Sequence, residues 1–478
     1  MVLIEALSKL SVQSPERVAV FADDAPVTFA ELDMQVRRTA AWLHLQGLRP
    51  GDVVGLTLRD EHAHLVFSLA LMRLCCSLVT LASYEPAAMR SVIAGRCNAT
   101  CVIVEQADQC LDGIRSLMSE SEAVFADSAL DRRQSPPHEA DPAVFMSSSG
   151  TTGRSKLVRC NQRQIFGYGI PQLPEPSVLY RPVSIESNIG KWSHLTNLAR
   201  GRTLVFCSPE KRPLADICRR FGVTMVSMNA IKAATLLKGL EPGLERPAFE
   251  DVRFVLGGSP VSGKLRAAIQ KELSTQLYVM YGATECGIVA SAGPEVHSVH
   301  PDAVGRPLPG VEIGVVDDGG KPLPAGEVGY VRIRSQASAT SYFGDEEASA
   351  RAFRDGWFHP GDLGSMTRDG MLLFFGRSDD MMILNTINIF PAEIEAVAES
   401  FPGVEACAAF PLRSEAYGDI PMLAVVPGEG FDSRALLAHC RERLGTRSPR
   451  KIVHVNHIPR NVMGKVLRRE LAKLGGAS

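Results

Sequence analysis

The chain has 478 residues, 45% hydrophobic and 22% charged, with a formal net charge of −2. This length exceeds one ordinary core and predicts two or more domains. The near-neutral balance excludes a general pull toward nucleic acid or an anionic membrane. The 11 cysteines are odd in number and form no Cys-x-x-Cys pair, which argues against a disulfide framework or structural zinc and for a reducing cytoplasm.

Residues 1–11 lack the long apolar core and small-residue cleavage pattern of a signal peptide. Thr28 and Glu31 have capping-box spacing, and Leu32, Val36, Ala40 and Leu43 continue at helical intervals. Arg49-Pro50-Gly51 ends that helix, and Val53–Leu58 reads as a strand. The run from Val66 to Ala82 is apolar enough to suggest a membrane span. It carries Arg73 near its middle, at a cost of roughly 2.5–3.5 kcal/mol in a bilayer, so a buried helix leading into a strand at Leu78-Val79-Thr80 is predicted. Cys75 and Cys76 within it read as buried spectators. Ala99–Val104 and Thr203–Phe206 are further short strands, and their alternation with helices predicts parallel sheets in an α/β fold.

A polar, proline-broken loop, Asp131–Pro142, leads into the apolar run Ala143–Met146. There follow Ser147, Ser148, Ser149, Gly150, Thr151, Thr152, Gly153, Arg154, Ser155 and Lys156. Glycines that let backbone N–H groups turn inward, hydroxyl donors and a closing lysine suit a polyphosphate. The loop departs from the Walker A pattern, because Lys156 comes three residues after Gly153, and alone it is a weak signal. Further motifs follow in order: Tyr278-Val279-Met280-Tyr281-Gly282-Ala283-Thr284-Glu285 at a strand end, Gly356–Asp362 around a tight turn, Gly376-Arg377-Ser378-Asp379-Asp380 after another strand, and Gly464-Lys465 in a basic stretch. Beyond Gly310 the pieces Val311–Val316 and Val328–Ile333 are separated by Asp-Gly and Gly-Gly turns, which is hairpin chemistry. No Ser/His/Asp order and no zinc-spaced histidine pair stands out. His359 reads as a residue that positions the turn beside Asp362.

This series resembles the adenylate-forming superfamily of acyl- and aryl-CoA synthetases, peptide-synthetase adenylation domains and beetle luciferases, over nearly the whole chain. The resemblance implies an α/β fold with a large N-terminal multi-sheet domain, residues 1–378, and a smaller mobile α+β C-terminal domain, residues 379–478, jointed near Asp379. It implies ATP, Mg²⁺ and CoA as cofactors. Ser148, Ser149, Gly150, Thr151, Thr152, Gly153 and Lys156 would hold phosphates, and Tyr281, Gly282 and Ala283 would line the adenine pocket. Asp362 would accept from the ribose hydroxyls, and Arg377 would approach ribose and phosphate. Thr284 would contact the α-phosphate and Glu285 would hold Mg²⁺. Lys465 would close over the site and bridge the substrate carboxylate and the α-phosphate, a point where a cation stabilises the transition state more than the separated anions.

The reaction so implied is activation of a carboxylic acid to acyl-AMP, then thioester formation with CoA. The alternative is a free-standing enzyme loading an amino acid or other acid onto a carrier-protein phosphopantetheine. The partners are thus a small carboxylic acid and CoA or a carrier protein, with no nucleic acid and no membrane span. The chain departs from the family at Ser155 and Leu157, where proline and glycine are usual, and at Thr386, where a glycine is common and a β-branched residue would narrow the thiol tunnel. It departs also at Pro182–Gly190, on the substrate side. There Ile185 and Glu186 face two readings: Glu186 as a helix-capping or surface charge, or as the partner of a cationic substrate. Asn229, Gly257, Gly258 and Ser259 are expected in the same pocket.

Overall fold

The computed structural model describes residues 2–119, 138, 140–148, 156–167, 177–207, 212–240, 246–384, 387–414, 418–461 and 464–475, with backbone alone at 148, 166–167 and 475. Residues 149–155 of the glycine-rich loop, and Thr386, lie outside the described residues.

Among the described residues, two large sheets and one small one organise the chain. The first has six strands, in the order Arg115–Met118, Cys101–Val104, Val53–Thr57, Ser77–Thr80, Pro142–Ser148 and Lys156–Asn161. Its first five strands are parallel, and the last returns antiparallel from the glycine-rich loop. That returning strand, carrying Lys156 at its start, had no separate signal in the sequence. The second sheet has 15 strands. Its parallel part includes Val178–Tyr180, Thr203–Phe206, Met225–Met228, Arg253–Leu256 and Leu277–Ala283. From Leu277–Ala283 onward it continues antiparallel, so the expected hairpins extend the same sheet: Val311–Val316 pairs with Gly329–Ser335.

Two helices fill the space between the large sheets. In Glu61–Arg73 every residue from His64 to Met72 is buried, and in Asn188–Ala199 every residue from Gly190 onward is. The run that looked membrane-like is therefore a core helix, with Arg73 in its last turn, followed by the strand Ser77–Thr80. Fully buried leucines such as Leu65, Leu69, Leu195 and Leu198 stabilise this packing by roughly 1.5–3 kcal/mol each. The capping box of Phe29–Leu45 forms as expected: Glu31 N–H donates to Thr28 Oγ1 at 3.2 Å, and Thr28 N–H to Glu31 Oε2 at 2.8 Å. Burial raises the Cys76 thiol to about 12 and that of Cys75 to about 11, so both stay protonated and inert. Among the described residues no helix is long and apolar enough to cross a membrane.

The small C-terminal sheet has five strands, Ile387–Ile389, Met382–Leu384, Gly418–Pro427, Val404–Ser414 and Lys451–His454. Its own core includes Met382, Ile394, Val425 and Leu436. It touches the larger body through Lys264, whose ammonium donates to the carbonyl of Val404 at 3.2 Å, and through a 3.7 Å pair between Lys238 and Glu405.

Candidate active site

The strand Leu277–Ala283 turns through Thr284 and Glu285 into Gly287–Ala292. The register slips between Tyr281 and Gly282, and a Cβ on Gly282 would lie 2.1 Å from the carbonyl oxygen of Gly287. Only glycine permits so close a backbone approach. The tight turn leaves Ala283 and Thr284 half-buried and sends the Glu285 carboxylate inward, 6% exposed. There Tyr342 Oη donates to Glu285 Oε1 at 2.8 Å. The Glu285 backbone carbonyl accepts from Ala339 N–H at 2.7 Å.

Tyr342 also meets the strand that returns from the glycine-rich loop. The Lys156 ammonium lies 4.8 Å from the centroid of the Tyr342 ring, within range of a cation–π attraction. Phe343 N–H donates to the carbonyl of Leu157 at 2.7 Å, and its ring meets Phe145 edge-on at 5.0 Å. The segment Ala339–Phe343 thus draws together the loop's closing lysine and the carboxylate of a distant strand. Tyr342 was absent from the sequence-derived set, since no local motif marks it.

A second cluster forms around Asp362. Gly361, at φ +79°, turns the chain into the strand Asp362–Met366, where Asp362 sits in register opposite Arg377. Asp362 is 7% exposed. Its Oδ2 accepts from Tyr281 Oη at 2.6 Å and its Oδ1 from the Arg377 guanidinium at 3.1 Å. Burial pushes the Asp362 carboxyl upward, while Arg377 and the Tyr281 hydrogen bond oppose the shift. Arg377 also donates to the carbonyl of Pro360 and, at 3.2 Å, to Asp379. The Tyr281 phenol is raised well above its usual range by burial and by Asp362, so it remains a donor. Tyr281 therefore fixes the neighbouring carboxylate.

Lys465 belongs to a tight loop in which Asn461 N–H donates to the Lys465 carbonyl and Lys465 N–H to Asn461 Oδ1, both at 2.9 Å. Its ammonium lies 3.9 Å from Asp380, three residues beyond Arg377. Gly464 has φ +87°, and a Cβ there would approach Ile231 Cδ1 to 2.7 Å. The loop thus rests against the start of the helix Ala230–Lys238, next to Asn229.

The expected pocket residues take several positions. Gly257 and Gly258 follow the strand Arg253–Leu256; a Cβ on Gly258 would meet Ile189 at 3.4 Å, and one on Gly257 would meet Met280 at 3.3 Å. Asn229 caps the helix Ala230–Lys238, its Oδ1 accepting from Lys232 N–H at 2.9 Å, and Ser259 Oγ accepts from Ala230 N–H at 3.4 Å. Ile185 is fully buried, with its N–H donating to Glu61 Oε1 at 3.1 Å. Glu186 is buried too: its Oε1 accepts from Ser83 N–H at 2.7 Å and its Oε2 from Ser83 Oγ at 2.8 Å. His359 is half-buried beside the Asp362 turn, its backbone N–H donating to Ala352 at 2.7 Å.

Residues from distant motifs thus meet in two carboxylate clusters, each with a phenol donor and a cation, the kind of charge-assisted arrangement that makes strong polar contacts. Residues 8–343 match the AMP-binding enzyme family, and residues 393–465 match the AMP-binding enzyme C-terminal domain. The chain belongs to this family of adenylate-forming enzymes. It is similar to the 2-succinylbenzoate–CoA ligase of Geobacillus kaustophilus, 29% identical over 96% of both chains. It is also similar to a fatty acid–[acyl-carrier-protein] ligase of Streptomyces coeruleorubidus, 28% identical over 98% of this chain and 95% of that one. Among solved structures it resembles the O-succinylbenzoate coenzyme A synthetase of Bacillus subtilis in complex with ATP and magnesium, 25% identical with a TM-score of 0.84 over 98% of each chain.

Proposed function

We propose that the protein is an AMP-forming acid–thiol ligase that uses ATP and Mg²⁺, with CoA as the thiol acceptor. The reading is carried by the convergence of Lys156 and Glu285 on Tyr342, beside the Tyr281–Asp362–Arg377 cluster, in a chain that matches both parts of the family. In the first step an oxygen of the substrate carboxylate attacks the α-phosphorus of ATP. The bond to the bridging oxygen breaks and pyrophosphate leaves. The carboxylate is ionised at neutral pH, so no general base is needed. In the second step the thiol sulfur attacks the acyl carbon and AMP departs.

Each site residue has a role in this scheme. Ser148–Gly153 and Lys156 receive the outer phosphates, and Tyr281, Gly282 and Ala283 border the base. Asp362, held on one side by Tyr281 and on the other by Arg377, accepts from the ribose hydroxyls. Thr284 meets the α-phosphate, and Glu285 Oε2, to which no described residue donates, is the oxygen offered to Mg²⁺. A bound Mg²⁺ would neutralise phosphate charge, and a single carboxylate plus phosphate oxygens fits its preference. Lys465 supplies the cation between the two reacting anions. Residues 379–478 act as the mobile part, swinging about Asp379 so that one site serves both steps. Ile185, Glu186, Asn229, Gly257 and Gly258 surround the acid. No described cysteine forms a disulfide, as a cytoplasmic location would allow.

The named relatives include both a CoA ligase and a carrier-protein ligase, so the acceptor is the point to test. Incubation with ATP, Mg²⁺, CoA and a panel of acids should yield acyl-CoA. Product found only on a phosphopantetheinylated carrier protein would overturn the CoA assignment and leave adenylation standing.

A further inference from the structure

Arg181 is 7% exposed, yet no carboxylate pairs with it among the described residues. Among the described residues its guanidinium donates only to hydroxyls: Ser227 Oγ at 2.5 Å and Ser193 Oγ at 3.4 Å. Its Nε is buried and has no hydrogen-bond partner among the described residues. Burial lowers it to about 10 from the usual arginine range, which leaves it charged at neutral pH. A buried cation without an anion is expensive, and a second ion with good geometry repays much of that cost.

Its place in the fold says what that second ion would be. Arg181 directly follows the parallel strand Val178–Tyr180, whose Leu179 and Tyr180 pair with Met225 and Val226. One step further along that register lies Ser227. Ser227 in turn pairs with Val255, two residues before Gly257. Arg181, Ser227 and the Gly257-Gly258 turn therefore share the carboxyl ends of three adjacent parallel strands, where open α/β sheets take their ligands. Side chains alternate along a strand, so Arg181 leaves the sheet on the side of Leu179, and Ser227 on the side of Met225 and opposite Val255. Leu179, Met225, Val255 and Tyr281 all belong to the core beneath the helix Asn188–Ala199. That helix contributes Ser193 to Arg181 and Ile189 to the vicinity of Gly258.

We propose that Arg181, with Ser193 and Ser227, forms the floor of the acid pocket and selects a carboxylic acid whose far end carries a second anionic group, a carboxylate first. The proposal rests on the ligase reading above and adds the substrate class to it. The guanidinium offers a bidentate fork for a carboxylate, and the two serines hold that fork in place. The charge is opposite to that of an ammonium-bearing substrate, for which Glu186 is the candidate partner; both oxygens of Glu186 are already engaged by Ser83.

The test is acid-dependent pyrophosphate release with matched pairs: straight-chain monocarboxylic acids against α,ω-dicarboxylic acids of equal length, and benzoate against carboxylate-bearing benzoates. The wild type should favour the diacid of the best-fitting pair by roughly 10⁴- to 10⁵-fold in kcat/KM, the scale at which a site built for a polar group rejects an analogue lacking it. Arg181→Met should reduce that ratio to within a few-fold of one, and Arg181→Lys should keep part of it. Thermal stabilisation by MgATP reports whether each variant is folded. A folded Arg181→Met that retains the wild-type ratio, or a wild type that prefers monoacids throughout, overturns the assignment while adenylation stands. A protein that activates no acid in either series overturns the ligase reading and this one with it.

Discussion

Tyr342→Phe isolates one hydrogen bond in the proposed metal and phosphate site. The wild-type phenol donates to Glu285 Oε1 at 2.8 Å, with Tyr342 and Glu285 each 6% exposed. The substitution keeps the ring, and so keeps the Lys156 ammonium 4.8 Å from its centroid, while deleting the donor. A hydrogen bond to a charged group contributes about 1.5–3 kcal/mol. At ~1.4 kcal/mol per tenfold, that corresponds to roughly a 10- to 150-fold loss in kcat/KM for ATP. The orphaned carboxylate should also need more Mg²⁺ to reach half-maximal rate. Tyr342→Ala removes the ring as well and should lose about a further 0.5–2 kcal/mol from the cation–π contact. The assay is exchange of labelled pyrophosphate into ATP across a Mg²⁺ titration, with Glu285→Gln and the double variant completing a cycle. Because the phenol acts through Glu285, the double loss should fall well short of the sum of the single losses. Wild-type rate and Mg²⁺ dependence in Tyr342→Phe would refute the reasoning.

Three more perturbations probe other parts of the account. Lys465→Ala should slow adenylation by roughly 10²- to 10³-fold, as expected for removing one transition-state donor, while ATP binding measured by calorimetry changes little. Gly282→Ala places a methyl 2.1 Å from the Gly287 carbonyl oxygen, so the backbone must move; a loss of about 2 kcal/mol or more in denaturant unfolding is expected, together with lost activity. Lys191 is buried against His64 Nε2 and Ser68, with Glu186 and His194 nearby, and burial lowers it from 10.5 to about 7. Below pH 7 the folded state must bury a charged ammonium. Between pH 7 and 10.5 the unfolded chain binds the extra proton, so this group's contribution makes stability rise with pH there. The full effect is on the order of 5 kcal/mol, and urea unfolding of Lys191→Met across this window should lack that rise.

The sequence foreshadowed those parts of the site that are written in short stretches of chain. Asp362 and Arg377 face each other at one end of a single antiparallel strand pair, and Tyr281 and Glu285 share one hairpin, so local motifs marked all four. The buried helix Glu61–Arg73 was legible because Arg73 made a bilayer position too costly. Tyr342 was not legible: its bond to Glu285 spans 57 residues, and nothing near Tyr342 in the chain announces that partner. Arg181 was passed over for a related reason. An arginine after a strand reads as a surface charge, and its burial arises only when the helix Asn188–Ala199 packs over the sheet. The 15-stranded sheet was read only piecewise, since pairing across the parallel–antiparallel junction depends on register rather than on composition. The glycine-rich loop was read as phosphate-binding from residue type alone, and its residues 149–155 lie outside those described.

The central claim is that this chain joins a carboxylate to AMP, and exchange of labelled pyrophosphate into ATP tests it most directly. With Mg²⁺ and the right acid, label should enter ATP at a rate that falls to background when the acid is omitted or Lys465 is replaced by Ala. Purified, folded protein that binds ATP yet exchanges no label with any acid in a broad panel of mono- and dicarboxylates would contradict the account.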